Sequence, residues 1–444
     1  MILQALNDYY KRATDAGGSE IAPVGWIRKP IDFVVVIDPH GHPVAVQCRQ
    51  IFEKGKRKPG KAELLPNIGK QAQKHTNSGT DANLLWDNAA FALGYGKDGQ
   101  KKLTSFLGTI SSWLSEHNDA VQALTSFLRA QLQSRDTLEK TITSAEDLEA
   151  LRSGSPLVTF ALTTDEGQLI CHRNDVRQKY QEPQESKVSC SRGICLVTGN
   201  RNIEISENET VIKGVWKAQS SGANIVSFNK PSFESYGKRD RGGENAPISS
   251  EASFAYTTAL NHLLRSGSRN RFQVGDASTV CWAEQQGEAV SEYDTLLADI
   301  FGHHDDPDAG VKAVTTLFDS VQSGRFDGTE GAARYFVLGL SPNAARISVR
   351  FFHTMTLAEL APRILQHFED IRIVHPDSAS SLLTVKRLLQ SLCLKTKAQP
   401  NGDIDRLPSN VAGALIDAIL TDRNAPYPYQ LLNLPSCAAA PSGR

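Results

Sequence analysis

The stretch "AARYFVLGLSPNAARISVRFF", residues 332–352, followed directly by "TLAELAPRILQHFEDI", residues 356–371, decides the fold class. Apolar and polar side chains alternate on both sides of Ser341-Pro342-Asn343, the pattern of two strands folded back through a turn. The segment after it repeats its apolar residues every three or four positions, the period of a helix with one buried face, and Pro362 is expected to interrupt that helix. A hairpin feeding a helix recurs elsewhere in the chain. "ILQALNDYYKRAT" puts Ile2, Leu3, Leu6, Tyr9 and Tyr10 on one helical face, and "IDFVVVIDPHGHPVAVQC", residues 31–48, forms two β-rich runs around a Pro-His-Gly-His-Pro turn.

Residues 103–132, "LTSFLGTISSWLSEHNDAVQALTSFLRAQL", lie in a region of helical spacing that runs to Leu151 and predicts two or three packed helices. "SPLVTFALTTDEGQLICH", residues 155–172, returns to strand, turn and strand. "SFNKPSFESYGKRDRGGENAPISSEA", residues 227–252, is a long polar surface excursion that Ser249 or Ser250 closes as N-cap of the next helix, with Gly267 as its stop. Helices at Ser380–Lys397 and Asn410–Arg423 complete the ordered part. Helices and antiparallel hairpins are segregated rather than alternated, so the class is α+β. The expected division is an α+β segment with a basic loop over 1–95, a helical insertion over 96–152, a central α+β region over 153–300, a C-terminal α+β and helical region over 301–430, and a flexible tail over 431–444.

The chain has 444 residues, is 40% hydrophobic and 22% charged, and carries a formal net charge of -1. That length exceeds one core, and the composition is that of a globular protein rather than a disordered or membrane one. With almost no net charge, affinity for a polyanion has to come from local patches. Seven cysteines, an odd number at scattered spacings, argue against a disulfide framework and for a reducing compartment. No run approaches the length of a membrane span and the N-terminus does not read as a signal peptide, so a cytoplasmic location is expected.

Four short patterns carry candidate chemistry. "GYGKDG", residues 94–99, fits G-x-G-x-x-G but follows a poor strand, which favours a turn over a dinucleotide site. P-loop and G-x-S-x-G patterns are absent. "GHHDDPD", residues 302–308, offers His303, His304 and Asp305 to a metal-dependent nuclease, although consecutive ligands diverge. Cys190 and Cys195 lack the second pair that a structural zinc requires. No metal or cofactor is expected. "EKGKRKPGK", residues 53–61, with five bases, two glycines and a proline, reads as a mobile solvated loop.

The remaining candidates are cationic and rich in amides. Residues 66–87, "PNIGKQAQKHTNSGTDANLLWD", carry Lys70, Gln71, Gln73, Lys74, His75, Asn77 and Ser78. "KAQSSGANIVSFN" adds Lys217, Gln219, Ser220, Ser221 and Asn224 around a glycine. In "FAYTTALNHLLRSGSRNRFQVGDASTVCWAE", residues 254–284, Arg265, Arg269 and Arg271 fall within seven positions at the end of a helix. Lysine neutralises phosphate, amides read base edges, and guanidinium matches phosphate geometry; solvated loops are the alternative for each.

The stretches "MILQALNDYY", "NLLWDNAAFALGYG", "VIKGVWKAQSSGANIVSFNKPSFESYGK", "NAPISSEASFAYTTALNHLLRSGSRNRFQVGDASTVCWAE" and "LGLSPNAARISVRFF" resemble the large subunit of the type I-C CRISPR Cascade complex, over nearly the whole chain. The resemblance implies a non-catalytic subunit of an RNA-guided surveillance complex. Its partners would be guide RNA, target double-stranded DNA, Cas5-type and backbone subunits, the small subunit and the helicase-nuclease. It would read the protospacer-adjacent motif, help to open the duplex and offer a docking surface to the nuclease. On that reading, Lys70, Gln71, Lys74, Asn77 and Ser78 read the motif and wedge the duplex. Lys217, Gln219, Ser220 and Asn224, with Arg265, Arg269 and Arg271, meet phosphates of guide or target. A metal-dependent nuclease and a general single-strand binder are the rival readings. Two stretches depart from the family pattern. "GNRNIEISENETVIKGV", residues 199–215, stands where a shorter, His-containing approach is expected. "LLNLPSCAAAPSGR" stands where the family continues into a helical C-terminal region, so truncation and a separate polypeptide both remain open.

Overall fold

The computed structural model describes residues 1–15, 21–53, 56–69, 81–114, 117–181, 192–206, 209–228, 230–238, 242–274, 276–284, 296–301, 309–323, 331–344, 346–372, 385–393, 407, 409–421 and 427–429. The class is α+β, and the chain divides into two compact units, Ser19–Cys190 and a discontinuous one made of Met1–Gly18 with Ser191–Arg444.

The Ser19–Cys190 unit is built on a four-stranded sheet. Phe33–Ile37 pairs antiparallel with Pro43–Cys48 on one side and parallel with Leu157–Leu162 on the other, and Trp86–Asn88 completes the sheet against Leu157–Leu162. The 31–48 hairpin turns where expected. Asp38 Oδ1 accepts from the backbone N–H groups of His40 and His42, at 2.9 and 2.8 Å. Gly41 sits at φ +88°, where an added Cβ would lie 2.6 Å from the Ala123 carbonyl, so the turn packs directly on the helix Asp119–Gln133. Phe106 and Phe127 press on Phe160, with ring centroids 6.0 and 5.9 Å apart, which buries one face of the sheet under helices.

Two expectations for this unit are corrected. After Leu157–Leu162 no second strand forms; the chain makes the short 3-10 turns Thr163–Asp165 and Ile170–His172. That places Ile170 and Cys171 in the core, a burial that a solvent-facing strand would not provide. The basic stretch is also more than a solvated loop, because Ile51–Glu53 pairs with Lys56–Lys58. Arg57 packs its guanidinium over Phe52 at 5.0 Å and binds Asp147 at 2.7 Å, and these contacts hold the small hairpin.

The discontinuous unit contains an antiparallel meander, Arg271–Val274, Ala277–Ala283, Arg334–Asn343 and Arg346–Thr356, in that spatial order. All seven residues of Ala277–Ala283 are buried, because both faces of the sheet are covered. On one face Trp282 stacks on Phe336 (5.3 Å) and Phe336 on Phe352 (6.1 Å), while Tyr9 of the N-terminal helix Ile2–Asp15 meets Trp282 edge-on. That helix packs on Ser250–Leu264 through the Tyr10–Phe254 pair, and Arg12 donates to the Ala283 carbonyl at 2.9 Å. On the other face Cys281, Tyr335, Val337 and Met355 join a core with Leu317, Leu360, Ile364, Leu415 and Ile416.

The 332–352 hairpin is as expected, but its turn is not. Pro342 still pairs with Ile347 and Asn343 with Arg346, so the reversal falls beyond Ser-Pro-Asn, with Ala344 at φ +53°. Proline near a strand end forfeits one ladder hydrogen bond, a smaller loss than breaking the apolar alternation. Similarly, Leu357–Asp370 runs as one helix through Pro362. A capping box formed by Thr356 and Glu359, together with bonds from the Leu357 and Ala358 N–H groups to the Ala333 and Gly331 carbonyls, fixes its first turn.

Trp282 is fully buried and stacked in this sheet. Trp282→Ala is expected to lower unfolding free energy by about 3–5 kcal/mol, read from denaturant melts, while the fully exposed Tyr236→Ala leaves it unchanged.

Candidate nucleic-acid interface

Ser250–Leu264 is the post on which the candidate surface hangs. Its N-cap is Ser249, whose Oγ accepts from the Ala252 N–H at 3.1 Å, and Gly267 at φ +77° follows its end. Three groups tie the loop 209–228 to this helix and the meander. Asn261 Oδ1 accepts from the Lys213 N–H at 2.8 Å, and its Nδ2 donates to the Val211 carbonyl at 3.1 Å. Glu209, half-buried at the start of the loop, accepts from the Tyr256 hydroxyl and from the Ile225 and Val226 N–H groups at 2.7 and 3.1 Å. Burial pushes the Glu209 carboxyl above its ordinary range, and these donors pull it back. Ser278 Oγ accepts from the Trp216 N–H at 2.8 Å.

Within that frame Lys217, Gln219, Ser220 and Ser221 are exposed. Asn224 is half-buried: its side chain donates to the Glu209 carbonyl at 3.1 Å, and its own carbonyl accepts from the Ile347 N–H at 2.8 Å, which adds the loop to the sheet edge. Asn224 therefore builds the loop, whereas its four neighbours present polar groups outward.

Arg265 and Arg269 are exposed. Arg265 lies against the His262 ring, Nη1 to Nδ1 2.8 Å, and Arg269 makes a 3.5 Å ion pair with Asp299. Arg271 is different: half-buried, it donates to the Leu264 carbonyl at 2.9 Å, and burial lowers its pKa from the ordinary guanidinium value. It complements the negative end of the helix. Gly214, at φ +90°, comes so close to that carbonyl that a Cβ would lie 2.6 Å from it. The chain leading into the 217–224 cluster and Arg271 of the arginine cluster thus meet at the end of one helix.

Sequence reasoning missed Trp216, Phe233 and Arg346. The Lys217 ammonium lies 5.9 Å from the Trp216 ring centroid, and the Arg346 guanidinium lies 3.8 Å over Phe233. The signal was present as an aromatic-cation pair inside "GVWKAQ", but only the fold reveals that the indole is 41% exposed.

In the Ser19–Cys190 unit, Lys70, Gln71, Lys74, Asn77 and Ser78 lie outside the described residues, and so do His303, His304, Asp305 and Cys190 of the other patterns. The flanks of 70–80 are described and touch. Gly69 adopts φ +115°, where a Cβ would lie 2.6 Å from the Ala82 carbonyl, and the Leu84 N–H donates to the Ile68 carbonyl at 3.1 Å. Below them Asp87 Oδ2 accepts from the Asn83 N–H at 2.9 Å and Oδ1 from the Asn88 N–H at 2.7 Å. Burial nonetheless raises Asp87 to about 6. A cleft of about 390 Å³ in this unit sets Arg49 and Lys61 against Glu63 over Ile31, Val34 and Leu169.

"GYGKDG" is a turn between the helices Ala89–Ala92 and Gly99–Trp113, with Gly94 and Gly96 at φ +74° and +72° and a short helix, not a strand, immediately before it. That context differs from a dinucleotide site. Among the described residues no group of three or more His, Cys, Asp or Glu is placed to hold a metal, and no helix is long and apolar enough to cross a membrane.

Residues 6–435 match the family described as CRISPR-associated protein (Cas_Csd1). The chain belongs to that family, the large-subunit family of type I-C Cascade. No curated protein matches it.

The raised Asp87 pKa sets a testable pH dependence at the base of the 70–80 segment. A carboxyl whose folded value exceeds its unfolded one near 4 adds stability below pH 4 that is lost as pH rises through about 6. Relative to Asp87→Asn, the native chain is expected to lose on the order of 2 kcal/mol of unfolding free energy between pH 4 and pH 7, measured by denaturant melts of both at each pH.

Proposed function

We propose that this chain is a non-catalytic large subunit that reads the protospacer-adjacent motif in target duplex DNA. It helps to open that duplex into an R-loop and presents a docking surface to the helicase-nuclease. Guide RNA, Cas5-type and backbone subunits and a small subunit are its partners in a cytoplasmic complex. The observation that carries this reading is the family match over residues 6–435, nearly the whole chain. The physics agrees with it. In RNA-guided recognition base pairing reads the target sequence, so the protein needs only a few side chains for a short flanking element and for backbone phosphates. A scaffold of net charge -1 that exposes Lys217, Arg265 and Arg269 suits that limited task.

Motif reading and duplex wedging fall to Lys70, Gln71, Lys74, Asn77 and Ser78, whose ammonium and amide groups suit phosphate and base edges respectively. Lys217, Gln219 and Ser220, with Arg265 and Arg269, meet phosphates. Arg271 supports them from the helix end, and Asn224 holds the loop.

In the assembled particle, Asn77→Ala or Gln71→Ala is expected to weaken binding to duplex with the correct flanking motif more than to duplex with scrambled flanks. Arg269→Ala is expected to weaken both equally and to flatten the salt dependence by about one unit of slope. Equal loss on both flanks for Asn77→Ala and Gln71→Ala would refute base reading by this segment.

A further inference from the structure

The loop 214–224 does more than expose cations. Trp216 is the most exposed of the five tryptophans: Trp26, Trp86 and Trp282 are buried, and Trp113 is half-buried. The indole remains 41% exposed, on a loop fixed through the Trp216 backbone N–H to Ser278, so part of the ring stays open to a ligand. The loop is held in costly geometry to keep it there. Lys217 adopts φ +58°, a left-handed conformation that a lysine rarely takes, and Gly214 and Gly222 at φ +90° and +97° allow the chain to close on the Leu264 and Ile212 carbonyls. Beside the ring stands the Lys217 ammonium.

A second flat surface adjoins it. Asn224 bonds to Ile347, and the neighbouring Arg346 spreads its guanidinium over Phe233, itself 41% exposed. The anchors of these two surfaces, Ser278 and Ile347, lie two strands apart on one sheet and two residues apart along it, about 12 Å. Lys213 and Lys230 add exposed charge, Glu209 is half-buried and held by its hydrogen-bond donors, and Glu234 is the half-buried acid beside Phe233.

We infer that Trp216 and Lys217, continued by the Arg346–Phe233 pair, form a stacking platform for single-stranded nucleic acid. A base lies on the indole and its phosphate meets Lys217. Aromatic and guanidinium planes accept any base, and the adjoining cations follow the backbone, the combination that binds single strands without reading sequence. The inference rests on the nucleic-acid role proposed above and gives this surface the single strand as its ligand.

The test uses the purified full chain at low salt, with dT10 and rU10 as single-strand probes, a blunt ten-base-pair duplex and a polyglutamate peptide. Either single strand is expected to quench tryptophan fluorescence saturably, with weaker quenching by duplex and none by the peptide. Trp216→Leu is expected to abolish the quenching and to lower single-strand affinity, followed by anisotropy of a labelled oligonucleotide, about tenfold. Trp216→Phe retains the affinity. An unchanged melting temperature in both variants shows that folding is not the cause. Three outcomes each overturn the platform: single-strand binding without quenching, unaltered affinity in Trp216→Leu, or equal quenching by duplex or peptide. None of them touches motif reading by residues 70–78, which fails only in the flank comparison.

Discussion

Ala277–Ala283 is buried along its whole length, and a strand of that kind is stable only where each face is covered. One cover is the pair of helices Ile2–Asp15 and Ser250–Leu264, whose Tyr9 and Tyr10 pack on Trp282 and Phe254. The other is the layer containing Leu317, Leu360, Ile364 and Leu415. Chain order follows from this demand: the first fifteen residues fold with the last two hundred and fifty because the aromatic ladder Trp282–Phe336–Phe352 has to be shielded from water. Burial of such rings contributes several kcal/mol each, more than any surface ion pair in the molecule.

The candidate interface borrows its rigidity from this packing. Ser250–Leu264 is clamped on its inner face, so its outer side can hold Asn261, Tyr256 and the Leu264 carbonyl still. The loop 209–228 is fastened to those points and to Ser278. Glu209 makes three of the fastenings at once and is also a costly one, since desolvation of its carboxylate is offset only while its hydrogen-bond donors remain in place. On the proposed reading, a few outward side chains on a nearly neutral body form a recognition surface that does not depend on bulk charge. Arg271 shows how the body and the surface share residues: one guanidinium stabilises the helix end beside which Arg265 and Arg269 stand free of the core.

Elements set by local pattern were legible in the sequence. The 31–48 and 332–352 hairpins, the helix Ser250–Leu264 with Ser249 as its cap, and the helix Ile2–Asp15 all follow from periodicity and capping chemistry. What was not legible depends on partners far along the chain. The small hairpin at 51–58 forms because Asp147 meets Arg57 from ninety residues away. The 332–352 hairpin reverses beyond Asn343 because apolar pairing across the hairpin outweighs one hydrogen bond lost at Pro342. Lys217, Gln219, Arg265 and Arg269 could be singled out by residue type, whereas the structural duties of Asn224 and Arg271 and the exposure of Trp216 exist only once Glu209, Leu264 and Ser278 are in position.

The central claim is that clusters of side chains on this scaffold grip nucleic acid inside an assembly. Its most direct test is photo-cross-linking of the particle purified with guide RNA and its partner subunits and loaded with target duplex, followed by mass spectrometry of this chain. The account expects cross-linked peptides to include residues 70–78 and 216–224. A correctly assembled, target-loaded particle in which neither peptide carries nucleic acid would contradict it.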